Sequence, residues 1–366
     1  MPATTSPLRF GIAGCGAIGP THARAILELG HRVVALADPV ESRARKLLDE
    51  IGSDARIHRD HAALASDDNV DVVAVCTPSG MHADHAVAAL LAGKHVIVEK
   101  PMDVTIEACD RVIAAADRAG RHCGVISQHR FDAATVLARQ LIDQGRIGRI
   151  LLITGDVKWY RTQAYYDEGE WRGTWKLDGG GALMNQGIHT LDLLHWLGGG
   201  VASVHARASI AAAHERIEVE DSIVLSLSFR NGAIGSLVAS TAAYDGFPVR
   251  IEVYGTEGSI LLEGDNLKRV ALRSGETFQT HEAAEHAISV ARGGTASAGR
   301  RTDPSTIAPV GAKWGDAHRA QIADFVAAIR ENRPPMIDAR AGRDPVAIVA
   351  AAYASARSRS DCTVAP

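Results

Sequence analysis

The stretch that most restricts the fold is Leu8–Gly19. An apolar run from Leu8 to Ala13, broken only by Arg9 and Gly11, leads directly into GCGAIG. Pro20 follows at a helix first turn, where a missing N–H costs nothing. Ala23, Ile26 and Leu27 then recur at helical spacing. Strand, glycine turn and helix in that order is the context that lifts a G-x-G-x-x-G match above chance. In that geometry Gly14 permits the tight turn, Gly16 lets the backbone approach a pyrophosphate, and Gly19 lets the helix pack closely on the strand. Ala17 and Ile18 complete the turn, and the helix N-terminus offers unpaired N–H groups to phosphates.

The alternation continues. Arg32–Ala37 reads as a second strand ending in Asp38, placed to accept hydrogen bonds from a ribose diol and to repel a 2′-phosphate. That favours NAD over NADP, although Arg43 nearby suits a 2′-phosphate or an adenine stack. The other reading of Asp38 is an N-cap for a helix over 42–51. Val70–Cys76 is a strand, 77–80 a turn, 81–92 a helix, His95–Val98 a strand, Ile106–Ala119 a helix and His122–Ser127 a strand. Strands alternating with helices mean a doubly wound parallel sheet. Ligands of such sheets bind outside the carboxyl ends of the strands. There HVIVEKP delivers Glu99 and Lys100, with Pro101 keeping Lys100 extended; a surface Lys–Pro turn is the plainer alternative. Thr77 and His82 follow another strand end and Gln128 the last, so all three are expected to face the cofactor. A solvated helix-start histidine is the alternative for His82. His82 and His85 have metal-pair spacing, but no cysteine or carboxylate cluster stands nearby, so no metal is expected.

Length and composition bound the rest. A chain of 366 residues is too long for one ordinary core, and 46% hydrophobic with 22% charged residues is normal for a soluble globular protein. A net charge of −4 argues against nucleic acid or an anionic membrane as partner. Five cysteines, an odd count without a Cys-x-x-Cys, argue against a disulfide framework or zinc ribbon and suit a reducing cytosol. MPATTSPLRF lacks the character of a signal peptide, and no apolar run approaches the ~18 residues of a membrane span.

After Ser127 the pattern changes. A helix is expected over 133–144 and a strand over 150–159. Then comes an aromatic, polar loop with Trp159, Tyr160, Arg161, Tyr165, Tyr166, Trp171, Arg172, Trp175 and Lys176. Aromatic faces beside cations suit sugar rings with anionic or polar substituents; packing is the alternative for each. In GGGALMNQGIHTLDLLHWLGG, Asn185, His189 and Asp192 recur on one face of an expected helix. A histidine with an acid three residues on, placed to fix its tautomer, is a candidate base. From Val201 to Leu272 the chain reads as a largely antiparallel sheet. Ser274–Gly315 is expected to be a partly mobile, substrate-facing loop, followed by helices around 322–329 and 345–356.

Taken together, GCGAIG, TPSGMHADHA, VIVEKP, GGGALMNQGIHTLD and HRAQIADFVAAIRENRPP resemble the glucose–fructose oxidoreductase, inositol dehydrogenase and rhizopine-catabolism (Gfo/Idh/MocA) family, in order over essentially the whole chain. The resemblance implies an α/β plus α+β protein. Residues 1–128 would form a Rossmann domain, and 129–366 an α+β domain with an open-faced, mostly antiparallel sheet, the last helices packing back on the Rossmann domain. It implies a cytoplasmic NAD-dependent dehydrogenase, a homodimer or homotetramer, acting on a sugar or nucleotide sugar. Lys100 takes the place of the family's catalytic lysine, His189 that of its catalytic histidine, and Asp192 that of the supporting acid. Many members carry Asp where this chain has Asn185, which can orient a hydroxyl but takes no proton. Met184-Asn185-Gln186 resembles the branch of nucleotide-sugar and sugar 3-dehydrogenases. The expected substrate contacts are Lys100, Arg161, Tyr165, Trp171, Arg172, Asn185 and His189. Two other readings stand beside a dehydrogenase. One is an enzyme that retains NAD and uses transient oxidation to break a glycosidic or C–X bond; the other is a non-catalytic dinucleotide sensor, which has no need of an acid–base pair.

Overall fold

The computed structural model describes residues 6–210, 213–279 and 313–366. They fall into two compact units, one within Met1–Ser127 and Trp314–Arg343, the other within Gln128–Lys313 and Asp344–Pro366.

The first unit is built on six strands: β1 (Arg9–Ala13), β2 (Arg32–Ala37), β3 (Arg56–His58), β4 (Val72–Val75), β5 (His95–Val98) and β6 (Cys123–Val125). Their order is β3-β2-β1-β4-β5-β6, and every neighbouring pair is parallel. Such a sheet is covered on both faces, so β4 reads VVAV with all four residues buried. The chain leaves β1 in one direction for β2 and in the other for β4, which opens a crevice at the carboxyl edge between them. Ala13 pairs with Val75 and Val75 with Val98, so the residues after β1, β4 and β5 line up along that edge. β3 has only three residues, too few to show a period in the sequence.

Helix Asp316–Glu331 belongs to this unit. Its Ile322, Phe325 and Val326 share one core with Phe10, Ile12, Ile26, Ile97 and Ile126. A Cβ on Gly124 would lie 2.8 Å from the Phe325 ring, so the glycine in β6 admits the helix. Gln321 then joins the strand end, donating to the Val125 carbonyl at 2.7 Å and accepting from the Ser127 amide at 3.0 Å.

The second unit holds nine strands: β7 (Ile150–Lys158), β8 (Val201–Ser209), β9 (Ser222–Phe229), β10 (Ile234–Ser240), β11 (Arg250–Gly255), β12 (Gly258–Glu263), β13 (Asn266–Leu272), β14 (Thr277–Phe278) and β15 (Cys362–Thr363). The order is β14-β13-β12-β11-β7-β10-β9-β8-β15, antiparallel throughout except for β10 beside β7. Ile223, Leu225, Leu227 and Phe229 of β9 alternate inward with more exposed residues between them. Helices Ala133–Asp143 and Ile188–Gly198 lie on this sheet. Gly155 of β7 lets the second come close, since a Cβ there would sit 2.8 Å from Thr190 Cγ2. Tyr254, Leu152 and Ile234 are register partners on neighbouring strands and all exposed.

Three expectations change in detail. In place of the single helix expected to carry Asn185, His189 and Asp192 stands a π-helical turn, Ala182–Gly187, continuing as the α-helix Ile188–Gly198. Asn185 therefore sits on the π-helical turn, while His189 and Asp192 lie one turn apart within the α-helix that follows. The last helix, Ala339–Ser358, begins six residues before Pro345 and keeps that proline inside it. Most of the substrate-facing loop expected over 274–315 lies outside the described residues, and of its start Thr277–Phe278 is strand β14. Among the described residues no helix is long and apolar enough to cross a membrane.

Candidate active site

At the carboxyl end of β1 the glycines divide the work. Gly14 has φ +98°, and a Cβ there would stand 2.4 Å from the Cys76 carbonyl oxygen. A Cβ at Gly19 would stand 2.6 Å from the Gly14 carbonyl oxygen. At Gly16 it would meet nothing within 4 Å, beside an exposed Ala17 and a half-buried Ile18. Asp38 is buried and braces the turn, its Oδ2 accepting from the Cys15 amide at 2.9 Å and its Oδ1 from the Val40 amide at 2.8 Å. It does not cap the next helix, which begins after Val40 without a side-chain cap. Carboxylate lone pairs remain for a ribose hydroxyl. Open space at Gly16, in front of helix N-terminal amides, fits the diphosphate of a dinucleotide.

The end of β5 is held from behind. Glu99 is buried, with Oε1 2.7 Å from His22 Nε2 and 3.6 Å from His318 Nε2. Its Oε2 accepts from the Lys100 amide at 3.1 Å. Burial works against both charges here. For His22 the Cys76 thiol and Glu99 outweigh it, lifting the imidazole to about 10. For Glu99 the two histidines outweigh it, holding the carboxyl well below its usual range. The pair is therefore ionised, and it anchors the residue beside the half-buried Lys100. His82 is buried, its Nδ1 2.7 Å from the Pro101 carbonyl and its Nε2 2.7 Å from the Thr77 carbonyl. It is not a solvated helix-start residue; it ties the loop after β4 to the loop after β5. His85 bonds Thr77 Oγ1 at 3.1 Å and stacks on His61 at 3.7 Å; burial, then the His61 charge, push it down to about 4.

In the second unit, the Asn185 amide donates to Asp178 Oδ1 at 2.7 Å, and Asp178 Oδ2 accepts from the Gly173 amide at 2.9 Å. His189 is half-buried, its ring edge-on to His129 with centroids 5.1 Å apart. His129 lies 2.6 Å from Asp132 Oδ2 and 3.7 Å from Asp265 Oδ1. Those acids overcome burial and raise its pKa. Asp192 is buried and accepts from Arg130 through both oxygens, Nε to Oδ2 at 2.8 Å and Nη2 to Oδ1.

Five of the aromatic-loop residues form one cluster. The Arg161 guanidinium lies over Trp159 and Tyr165 at 5.2 and 5.3 Å, and Arg172 over Tyr165 and Trp171 at 4.4 and 5.4 Å. Gln186 on the π-helical turn donates to the Tyr165 hydroxyl at 3.1 Å. Among the described residues, Arg161 Nε, Arg172 Nε and Gln186 Oε1 are buried without a hydrogen-bond partner, as are Gln128 Oε1 and His22 Nδ1. Buried polar atoms without a partner are uncommon enough to mark a place for a ligand.

Arg130, Asp178, His129, His22 and His318 have no role in the sequence reading, and Gln186 enters it only within Met184-Asn185-Gln186. Gln186 adjoins Asn185 and was within reach of it; Arg130 lies 62 positions from Asp192, and no local pattern connects them. Among the described residues, two groups have metal-ligating side chains close together, His22–Glu99–His318 and His129–Asp132–Asp265, and in each a histidine–carboxylate hydrogen bond already joins two members.

Comparison with known proteins agrees with this architecture. Residues 8–127 match the profile of an oxidoreductase family with an NAD-binding Rossmann fold, and residues 135–261 match the GFO/IDH/MocA C-terminal domain. Inositol 2-dehydrogenase 2 of Saccharopolyspora erythraea is 32% identical over 259 residues, 70% of this chain and 73% of that protein. The WlbA dehydrogenase of Bordetella pertussis, solved with NADH and UDP-GlcNAcA, superposes with a TM-score of 0.84 at 32% identity, covering 100% of both chains. Levoglucosan dehydrogenase, solved with NADH and levoglucosan, superposes with a TM-score of 0.83 at 26% identity, covering 98% of this chain and 100% of that one.

Proposed function

The chain belongs to the GFO/IDH/MocA family of NAD-binding oxidoreductases, and on that footing we propose that it oxidises a secondary hydroxyl of a sugar or nucleotide sugar to a ketone. Its cofactor is NAD, which supplies the hydride acceptor at nicotinamide C4 when bound. The dinucleotide is held through Gly14, Gly16, Ala17, Ile18, Gly19 and Asp38, and the substrate contacts are Lys100 together with Arg161, Tyr165, Trp171, Arg172, Asn185 and His189. Lys100 donates a hydrogen bond to the reacting oxygen and stabilises the developing alkoxide. A ring nitrogen of His189 takes the hydroxyl proton. Asp192, charge-paired with Arg130, supports His189, and Asn185, held by Asp178, orients a substrate hydroxyl.

The observation that carries this reading is the shared sheet edge. Ala13, Val75 and Val98 are in register, so the glycine cradle, Thr77 and Lys100 follow adjacent strand ends. Two stacked guanidinium groups with unpartnered Nε atoms favour a substrate bearing a carboxylate or phosphate. Met184-Asn185-Gln186, with its resemblance to the 3-dehydrogenases, points to C3. The exposed row Tyr254–Leu152–Ile234 supports a homodimer or homotetramer, and five unpaired cysteines suit the cytoplasm.

The test is NADH absorbance with purified protein, NAD⁺ and a panel of inositols, free sugars and UDP-sugars. Lys100→Met and His189→Ala are each expected to lose about 10²–10⁴ in turnover while still binding NAD⁺. Wild-type turnover in either sinks the assignment. Arg172→Ala is expected to raise KM for anionic sugars and leave neutral ones unchanged; an equal effect on both removes the anion reading.

A further inference from the structure

Glu220 is a buried carboxylate with no part in the chemistry described so far. It stands just before β9 and meets three consecutive amides at the start of the segment that carries Asn185 and His189. The Gly181 amide donates to Oε2 at 3.0 Å, the Leu183 amide to Oε1 at 2.9 Å, and the Ala182 amide to the Glu220 backbone carbonyl at 3.0 Å. The Tyr353 hydroxyl donates to Oε1 at 3.0 Å. Nothing larger than glycine fits between them. A Cβ on Gly181 would lie 1.7 Å from the Glu220 carbonyl oxygen, and one on Gly180 would lie 2.0 Å from Tyr353 Oη.

A carboxylate facing the first amides of a helical segment satisfies donors that the helix itself leaves open, and the helix dipole favours its charge. Burial nevertheless pushes Glu220 up to about 7, against those hydrogen bonds. The segment that Glu220 caps is not a plain helix. Ala182–Gly187 is a π-helical turn, which carries one residue more per turn than the α-helix into which it runs. If it relaxed to the α form, everything beyond it, His189 included, would rotate by about 100° relative to the sheet. The turn is gripped at its start by Glu220 and at its end by Gly187, where a Cβ would lie 3.0 Å from Ala239 Cβ of β10.

We propose that Glu220 is a positioning residue: by holding the amides of Gly181, Ala182 and Leu183 to the sheet, it keeps the π-helical turn wound and so sets the direction of Asn185 and His189. The proposal rests on His189 being the base.

The test compares Glu220→Gln and Tyr353→Phe in the full chain. In Glu220→Gln an amide NH₂ must face one of the donors. Its kcat per folded protein, with the fastest sugar of the panel, is expected to fall about 10- to 100-fold, the scale of a small misplacement, with the Kd for NAD⁺ within about two-fold of wild type. Tyr353→Phe, which keeps the carboxylate and removes one donor, is expected to lose less. A second readout needs no substrate: the His189 ring, followed by NMR through a pH titration, shifts its midpoint in Glu220→Gln. A purely structural residue would lower the melting temperature and leave kcat per folded protein and the His189 titration at wild-type values; that result overturns the proposal. His189→Ala is run alongside. If it is inactive while Glu220→Gln is wild-type, only the positioning role falls; if His189→Ala keeps full turnover, the base assignment falls and this proposal with it.

Discussion

Two glycine clusters stand before helical segments in this protein, and they do opposite things. In the turn Gly14–Gly19, Gly16 opens onto space, and the backbone around it is left for something else to approach. In Gly179–Gly181 the space is already taken, by the Tyr353 hydroxyl over Gly180 and the Glu220 carbonyl over Gly181. Both read alike in the sequence, as small residues ahead of an apolar helical pattern. One leaves its backbone open; the other is filled by the protein's own Glu220 backbone and Tyr353 hydroxyl. Glycine reports a close approach, and only the contact says of what.

Substitutions separate the two cases. The largest effect is expected at Gly181. Gly181→Ala places a methyl 1.7 Å from the Glu220 backbone oxygen just before β9, with no flexible side chain to give way. Soluble, folded protein should be lost, as read by circular dichroism and gel filtration. An alanine variant with native melting would break the contrast.

An intermediate effect is expected behind the first cluster. His22→Ala leaves Glu99 buried without its 2.7 Å partner, which costs about 3–5 kcal/mol. The pH dependence has a definite sign. With a folded-state pKa raised from 6.5 to about 10, His22 contributes stability in full below about 6.5 and loses it as pH rises toward 10. Glu99, whose folded-state pKa is depressed, contributes above its ordinary value of 4.5 and loses that as pH falls through the folded value. Urea unfolding at pH 6, 8 and 10 should show the wild type weakening across that range and His22→Ala changing less. Parallel curves would remove the ion pair.

The smallest effect on the fold is expected at Gly16. Gly16→Ala adds a methyl where nothing stands, so stability should stay within about 0.5 kcal/mol. The Kd for NAD⁺, by titration calorimetry, should rise by roughly ten-fold, because the methyl enters the path of the diphosphate. Unchanged affinity would mean that the phosphates do not pass there.

Periodicity is enough for most of the first unit, the three-residue β3 excepted. Arg32–Ala37, His95–Val98 and Ile106–Ala119 are the same elements in the sequence reading and in the structure. Each combines one clear period with a boundary, such as Thr105 capping Ala108 and Gly120 closing the helix. The segment around His189 is harder to read. Nothing in ALMNQG announces a π-helical turn, since side-chain pattern within six residues scarcely distinguishes it from an α-turn.

Local conformation, the order of strands and helices, and the residue types delivered to the strand ends follow from neighbours in the chain. Steric freedom at Gly14, the closed ring of Pro20 and alternating apolar side chains act over a few residues and need no fold to be felt. The partner of each buried charge is a different matter. His22 and Glu99 are 77 positions apart, Arg130 and Asp192 are 62, and Glu220 and Tyr353 are 133. A buried charge is tolerated only when a specific counter-charge or donor arrives from elsewhere. That arrival is a property of the packed chain, and it separates the acids that brace this protein from those that its chemistry can use.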